Sequence, residues 1–132
     1  IRHFLAKGGR FYGAMLGAGS LVTLRAIVMA GDGPHVARLH PQIDVRAAGD
    51  LLARAGFAEP VADMEDVTVR YRQWPRYLAD LRANGIGNCL ARRHGLPRAL
   101  LGQWQRCFET MADGDGRTSE QFCPIYLSAR SI

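Results

Sequence analysis

Glycines cut this sequence into short apolar runs whose periods alternate between strand and helix. Gly8-Gly9 precedes Arg10-Phe11-Tyr12-Gly13-Ala14-Met15-Leu16, an apolar run with aromatic entry that reads as a buried strand. Gly17-Ala18-Gly19 ends it. Ser20 stands where it would cap a helix with Leu21, Leu24, Ile27 and Val28 on one face, closed by Gly31-Asp32-Gly33-Pro34. His35 to Gln42 has no period and reads as loop. Asp44 caps a second helix, in which Val45, Ala48, Leu51, Leu52 and Ala55 recur at helical spacing until Gly56 stops it. Upstream of all this, residues 1–8 read as a helix end, with Lys7 at the negative end of the dipole and Gly8 as cap.

Past Gly56 the pattern repeats. Phe57 to Met64 reads as a strand, and Asp66 to Tyr71 alternates as a half-buried strand does. Pro60 and the acidic Asp63-Met64-Glu65-Asp66 mark a bend or bulge between them. Trp74-Pro75 opens a helix carrying Tyr77, Leu78 and Leu81, and Asn84-Gly85-Ile86-Gly87-Asn88 turns the chain. A longer helix starts at Pro97 with Leu100, Leu101, Trp104, Cys107, Phe108 and Met111 as its apolar stripe. After Asp113-Gly114-Asp115-Gly116 the chain closes with a strand from Gln121 to Ala129. Strand, helix, strand, helical insert, strand is the order of an α/β sheet with a helical excursion before its last strand. At 132 residues the chain suits one domain.

Composition narrows the function classes. With 48% hydrophobic and 22% charged residues the chain is an ordinary globular sequence, not a disordered one. No run approaches the roughly 20 apolar residues of a membrane-spanning helix. Cys89, Cys107 and Cys123 are odd in number and form no C-x-x-C pair, which argues against a disulfide scaffold or zinc site and for a reducing cytoplasm. The net charge of +5 suits an acidic partner, whether nucleic acid or an acidic protein, although Arg92-Arg93-His94 is the only compact basic cluster. The first residue is Ile1 rather than Met, and the chain opens inside a helix pattern. Both lead to the expectation of upstream sequence.

Several constellations are weighed against simpler readings. A Gly-rich turn at a helix start can cradle phosphate, but Val22 stands where a dinucleotide fingerprint needs its third glycine, and no Lys-Ser/Thr pair follows. A tight turn into a helix is the simpler reading of Gly17–Ser20, which would still line the ligand crevice at a strand's carboxyl end. His3, His35, His40 and His94 lack paired spacing for a metal, and His40 is either a loop residue or a substrate contact. Asp113 to Gly116 lacks the later ligands of a calcium loop and reads as a polar turn.

Four segments carry a resemblance. Leu5-Ala6-Lys7-Gly8-Gly9-Arg10-Phe11 is similar to the helix-to-strand passage before the fifth strand of class I S-adenosylmethionine-dependent methyltransferases. Leu51-Leu52-Ala53-Arg54-Ala55-Gly56-Phe57 is similar to their next such passage. Gly17-Ala18-Gly19-Ser20-Leu21 with Leu24-Arg25, and Asp80-Leu81-Arg82 through Gly85 and Asn88, resemble segments of one branch. That branch holds the malonyl-carrier-protein methyltransferases of biotin synthesis and the arginine hydroxylase of complex I assembly.

The resemblance implies the C-terminal part of a Rossmann-like class I methyltransferase sheet, with a helical insert at about residues 74–112. It implies methyl transfer from S-adenosylmethionine, with this chain supplying the acceptor side. The family's Gly-rich cofactor loop and ribose-binding acid are absent from these residues, so the chain alone is expected to bind the cofactor poorly. Arg25 and Arg92 would anchor a small carboxylate or an acidic carrier protein, and His40 and Asn88 would contact substrate. The alternatives are an assembly factor or arginine hydroxylase acting on a respiratory-complex protein, and a basic nucleic-acid-binding module. An open sheet edge would allow self-association.

Overall fold

The computed structural model describes residues 1–32, 38–87, 90 and 95–132. After a 3-10 turn at Arg2–Phe4 come β1 (Arg10–Leu16), α1 (Val22–Asp32), α2 (Val45–Arg54), β2 (Phe57–Met64) and β3 (Val67–Tyr71). They are followed by α3 (Trp74–Ala83), α4 (Arg98–Thr110), β4 (Thr118–Phe122) and β5 (Pro124–Ser131). They form two compact units: residues 1–20, 42–67 and 122–132, and residues 21–41 and 68–121.

The first unit is a three-stranded sheet in the order β1-β5-β2, with β5 antiparallel to both neighbours. β1 and β2 therefore run in the same direction. Phe11 faces Ala129, Met15 faces Ile125, and Ala62 faces Leu127 across the ladders. The period-2 alternation puts these side chains on one face, which α2 covers: a Cβ built on Gly49 would lie 3.7 Å from that of Ala62. Phe11 and Phe57 pack at 5.6 Å. The other face carries exposed Tyr12, Val61 and Tyr126.

Asp44 caps α2 as its sequence position suggests, its carboxylate accepting from the Ala47 amide at 2.7 Å. Asp44→Ala should cost about 1 kcal/mol of stability, read as a lowered urea midpoint with unchanged slope. Gly56 ends the helix with φ of 79°. The expected bulge falls within β2, between Ala58 and Val61, where Glu59 takes a φ of 51° and Pro60 removes a donor.

The closing strand differs from its sequence reading. One strand from Gln121 to Ala129 was expected; the chain instead breaks at Cys123 into β4 and β5. Pro124 becomes the first residue of β5, opposite Leu16, a place where a missing N–H is tolerated within a central strand.

The second unit packs α1, α3 and α4 with the paired strands β3 and β4. Its core is aromatic. Tyr77 sits 5.2 Å from Phe108, 5.1 Å from Tyr71 and 5.6 Å from Trp74. Gly31 allows α1 to approach α4, because a Cβ there would meet the Trp104 indole at 2.4 Å. Met111, expected on the buried stripe of α4, lies past its end and is exposed. The Asp113–Gly116 turn is closed by Arg70, which pairs with Asp113 and, at 3.0 Å, with Asp115. The guanidinium thus holds the acids of the calcium-like loop, and with two backbone amides it keeps the Asp113 carboxyl below the usual carboxylate range.

Candidate functional site

The Gly17–Ser20 turn follows β1 directly. Its backbone is committed within the first unit: the Gly17 amide donates to Cys123 O at 2.9 Å and the Ala18 amide to Ile43 O at 2.8 Å. A Cβ on Gly17 would stand 2.4 Å from Ile125 Cδ1, so glycine there serves close packing. Gly19, with φ of 97°, faces the Cys123 thiol. Ser20 does not cap α1, as its position suggested. Its buried hydroxyl accepts from the Cys123 amide at 2.8 Å, and Leu21 follows with φ of 60°.

The start of α1 is held instead by Glu120, a side chain only 1% exposed. Its carboxylate accepts from the Thr23 amide at 3.0 Å, the Leu24 amide at 2.9 Å and the Gln121 amide at 2.9 Å. The Tyr77 hydroxyl donates to it at 2.6 Å. A negative charge thus sits on the positive end of the α1 dipole, and one carboxylate joins β4, α1 and α3. Nothing in the local sequence announces this. The only signal is the alternation that buries Thr118 and Glu120 on the same side of β4.

Tyr77 is pushed above the usual phenol range by burial first, then by the charge of Glu120 and the hydrogen bond to it. A phenol held protonated by the fold leaves stability intact below the unfolded value of about 10 and removes it as pH rises further. Denaturant midpoints measured from pH 8 upward should fall beyond about pH 10, and less steeply in Tyr77→Phe.

The residues singled out for substrate are dispersed. Arg25 is exposed on α1. His40 is exposed, its Nδ1 at 2.8 Å from Pro41 O. Asn88 and Arg92, with Cys89, His35 and His94, lie outside the described residues. Neither Arg25 nor His40 lines the first unit's apolar cavity or the second unit's cavity among α1, α3 and α4.

The first unit has an apolar cavity of about 490 Å³, walled by Phe11, Met15, Leu51, Leu52, Phe57 and Leu127. The second unit has one of about 250 Å³ among α1, α3 and α4, with Arg38 and Arg82 in its lining. Arg38 forms a fork on Asp32, donates to Gly95 O at 3.3 Å and stacks on Trp104 at 5.7 Å. No carboxylate lines either cavity among the described residues, and the amides of Gly17 and Ala18 are taken. Neither lining therefore offers the acidic acceptor that the ribose hydroxyls of S-adenosylmethionine call for. No group of His, Cys, Asp and Glu among them could hold a metal ion. No helix among them is long and apolar enough to cross a membrane.

No family profile matches the chain. Its sequence is 36% identical to the malonyl-[acyl-carrier protein] O-methyltransferase of Nitrosospira multiformis, across 96% of this chain and 41% of that protein. It is 38% identical to the enzyme of the same name from Laribacter hongkongensis, across 86% of this chain and 38% of that protein. The mitochondrial arginine hydroxylase NDUFAF5 of Homo sapiens is 32% identical across 73% of this chain and 29% of that protein. The chain is thus homologous to part of these proteins, and they belong to the branch that its motifs implied. It spans about two fifths of the length of the methyltransferases it matches.

Proposed function

We propose that the protein is an S-adenosylmethionine-dependent methyltransferase acting on a carboxyl group borne by an acidic carrier protein, with these residues forming the acceptor side. The observation that carries this reading is the 36% identity to a malonyl-[acyl-carrier protein] O-methyltransferase over 96% of the chain. The sheet supports it. An antiparallel strand between two strands of like direction is the arrangement expected at the C-terminal edge of a class I methyltransferase sheet, and β1-β5-β2 has it. The occurrence of two helices, α3 and α4, ahead of β5 supports it as well.

In this reading Arg25 and Arg92 anchor the acceptor's negative charge, and His40 and Asn88 hydrogen-bond it. The net charge of +5 favours encounter with an acidic carrier. The cofactor is outside what the described residues hold, and no step is routed through it. The thiols of Cys107 and Cys123 suit a reducing cytoplasm. Arginine hydroxylation is the second reading, favoured by the 32% identity to NDUFAF5 over 103 residues.

Titrating the protein with malonyl-loaded and unloaded carrier tests the acceptor role. The loaded carrier should bind more tightly, and Arg25→Gln should weaken it several-fold. Equal binding of both forms, or hydroxylated arginine in a co-purifying protein, would favour the second reading.

A further inference from the structure

The smaller cavity differs in character from the acceptor residues above. Leu24 and Val28 of α1, Leu78 and Leu81 of α3, and the Trp104 ring of α4 give it apolar walls around about 250 Å³. Two guanidinium groups reach it, and they are not equivalent. Arg38 is spent on Asp32, both side chains being 9% exposed. Its fork binding and its stack on Trp104 make it a fixed, internally neutralised wall. Arg82, in the last turn of α3, is exposed, and its guanidinium makes no hydrogen bond or ion pair among the described residues. Among the described residues the lining therefore combines apolar walls with one uncompensated cation and no carboxylate.

We propose that this cavity binds an alkyl carboxylate, its chain among Leu24, Val28, Leu78, Leu81 and Trp104 and its head on Arg82. Apolar walls favour a chain in proportion to the area they take from water. A guanidinium at the rim selects a carboxylate by paired, charge-assisted hydrogen bonds. An alcohol of the same length lacks the charge, and an alkylammonium would meet Arg82 with like sign. The proposal concerns the second unit alone and does not depend on methyl transfer.

The probes are octanoate, octanol and octylammonium, titrated by calorimetry, with the indole N–H resonances of Trp104 and Trp74 followed by NMR. Octanoate should bind saturably, about tenfold more tightly than octanol, and shift the Trp104 resonance while leaving that of Trp74 in place. Arg82→Gln should bring octanoate down to the level of octanol. Leu78→Trp, at a half-buried position that admits a larger side chain, should abolish both while circular dichroism stays unchanged. Absence of saturable binding, equal binding of octanoate and octanol to the unaltered protein, undiminished octanoate binding in a folded Arg82→Gln, or octylammonium binding as well as octanoate would each overturn the proposal.

Discussion

Glu120→Ala should destabilise the protein by about 3–5 kcal/mol, the range for stripping one partner from a buried, charge-assisted network. The carboxylate receives the Thr23 and Leu24 amides, its neighbour's amide and the Tyr77 hydroxyl. Alanine leaves two amides of the first turn of α1 without acceptors and a phenol without a partner, in a place closed to water. Glu120→Gln keeps the shape but loses the charge and one acceptor, so it should fall between alanine and the unaltered protein. Tyr77→Phe removes one hydroxyl and should cost about 1–2 kcal/mol. The double variant Glu120→Ala, Tyr77→Phe should cost less than the sum of the single ones, because the two groups share one bond. Chemical denaturation reads all four. A loss below about 1 kcal/mol for alanine would mean that α1 does not depend on this carboxylate.

Gly17→Ala should cost about 1–3 kcal/mol, the usual range for overpacking. The added Cβ would lie 2.4 Å from Ile125 Cδ1, 2.6 Å from Ile125 Cγ1 and 3.2 Å from Cys123 O. Ile125 is fully buried in the central strand. Two of the three nearest atoms belong to a rigid side chain and the third to backbone, so relief needs β1 and β5 to move apart. Gly114→Ala is the matched control. A Cβ there meets nothing within 4 Å, and its stability should stay within about 0.5 kcal/mol of the unaltered protein. Equal losses at both positions would show a general intolerance of alanine rather than contact at Gly17.

Local chemistry made much of the fold legible. The Asp44 cap, the Gly56 stop and the Trp74-Pro75 start of α3 appear where short-range rules put them. β1 has its expected bounds but is not the buried strand its apolar run suggested, since none of its residues is buried and Tyr12 and Met15 are exposed. What was missed depends on partners far along the chain. Ser20 is a good cap residue by type, yet the acceptor for the α1 amides comes from Glu120, 96 positions beyond Leu24. With that acceptor in place, Ser20 is free to satisfy Cys123. Gln121 to Ala129 reads as one strand by its apolar run, although Pro124, which prefers the first residue of a strand or a bulge, is a local sign of the division. The break itself comes as β4 pairs with β3 and β5 enters between β1 and β2.

The candidate site was less legible than the family. Motif spacing pointed to the branch to which the relatives belong, because such motifs keep turns and helix ends in register. Arg25 and His40 were chosen by charge and position, and both are exposed, away from the two cavities. Among the described residues, a guanidinium without an ion pair that borders a cavity is that of Arg82. It lies inside the Asp80-Leu81-Arg82 motif that helped to indicate the branch, where helical spacing alone gave no reason to single it out.

Methyl transfer to a carrier-bound carboxyl group is the reaction to detect. The protein, purified in the form in which its source cells hold it, is incubated with S-adenosylmethionine and malonyl-loaded carrier protein, and the carrier is weighed by intact-mass spectrometry. The predicted result is a gain of one methyl group, dependent on the malonyl group and removed by mild base as an ester. An unchanged carrier mass, together with one added oxygen on an arginine of a respiratory protein, would contradict it.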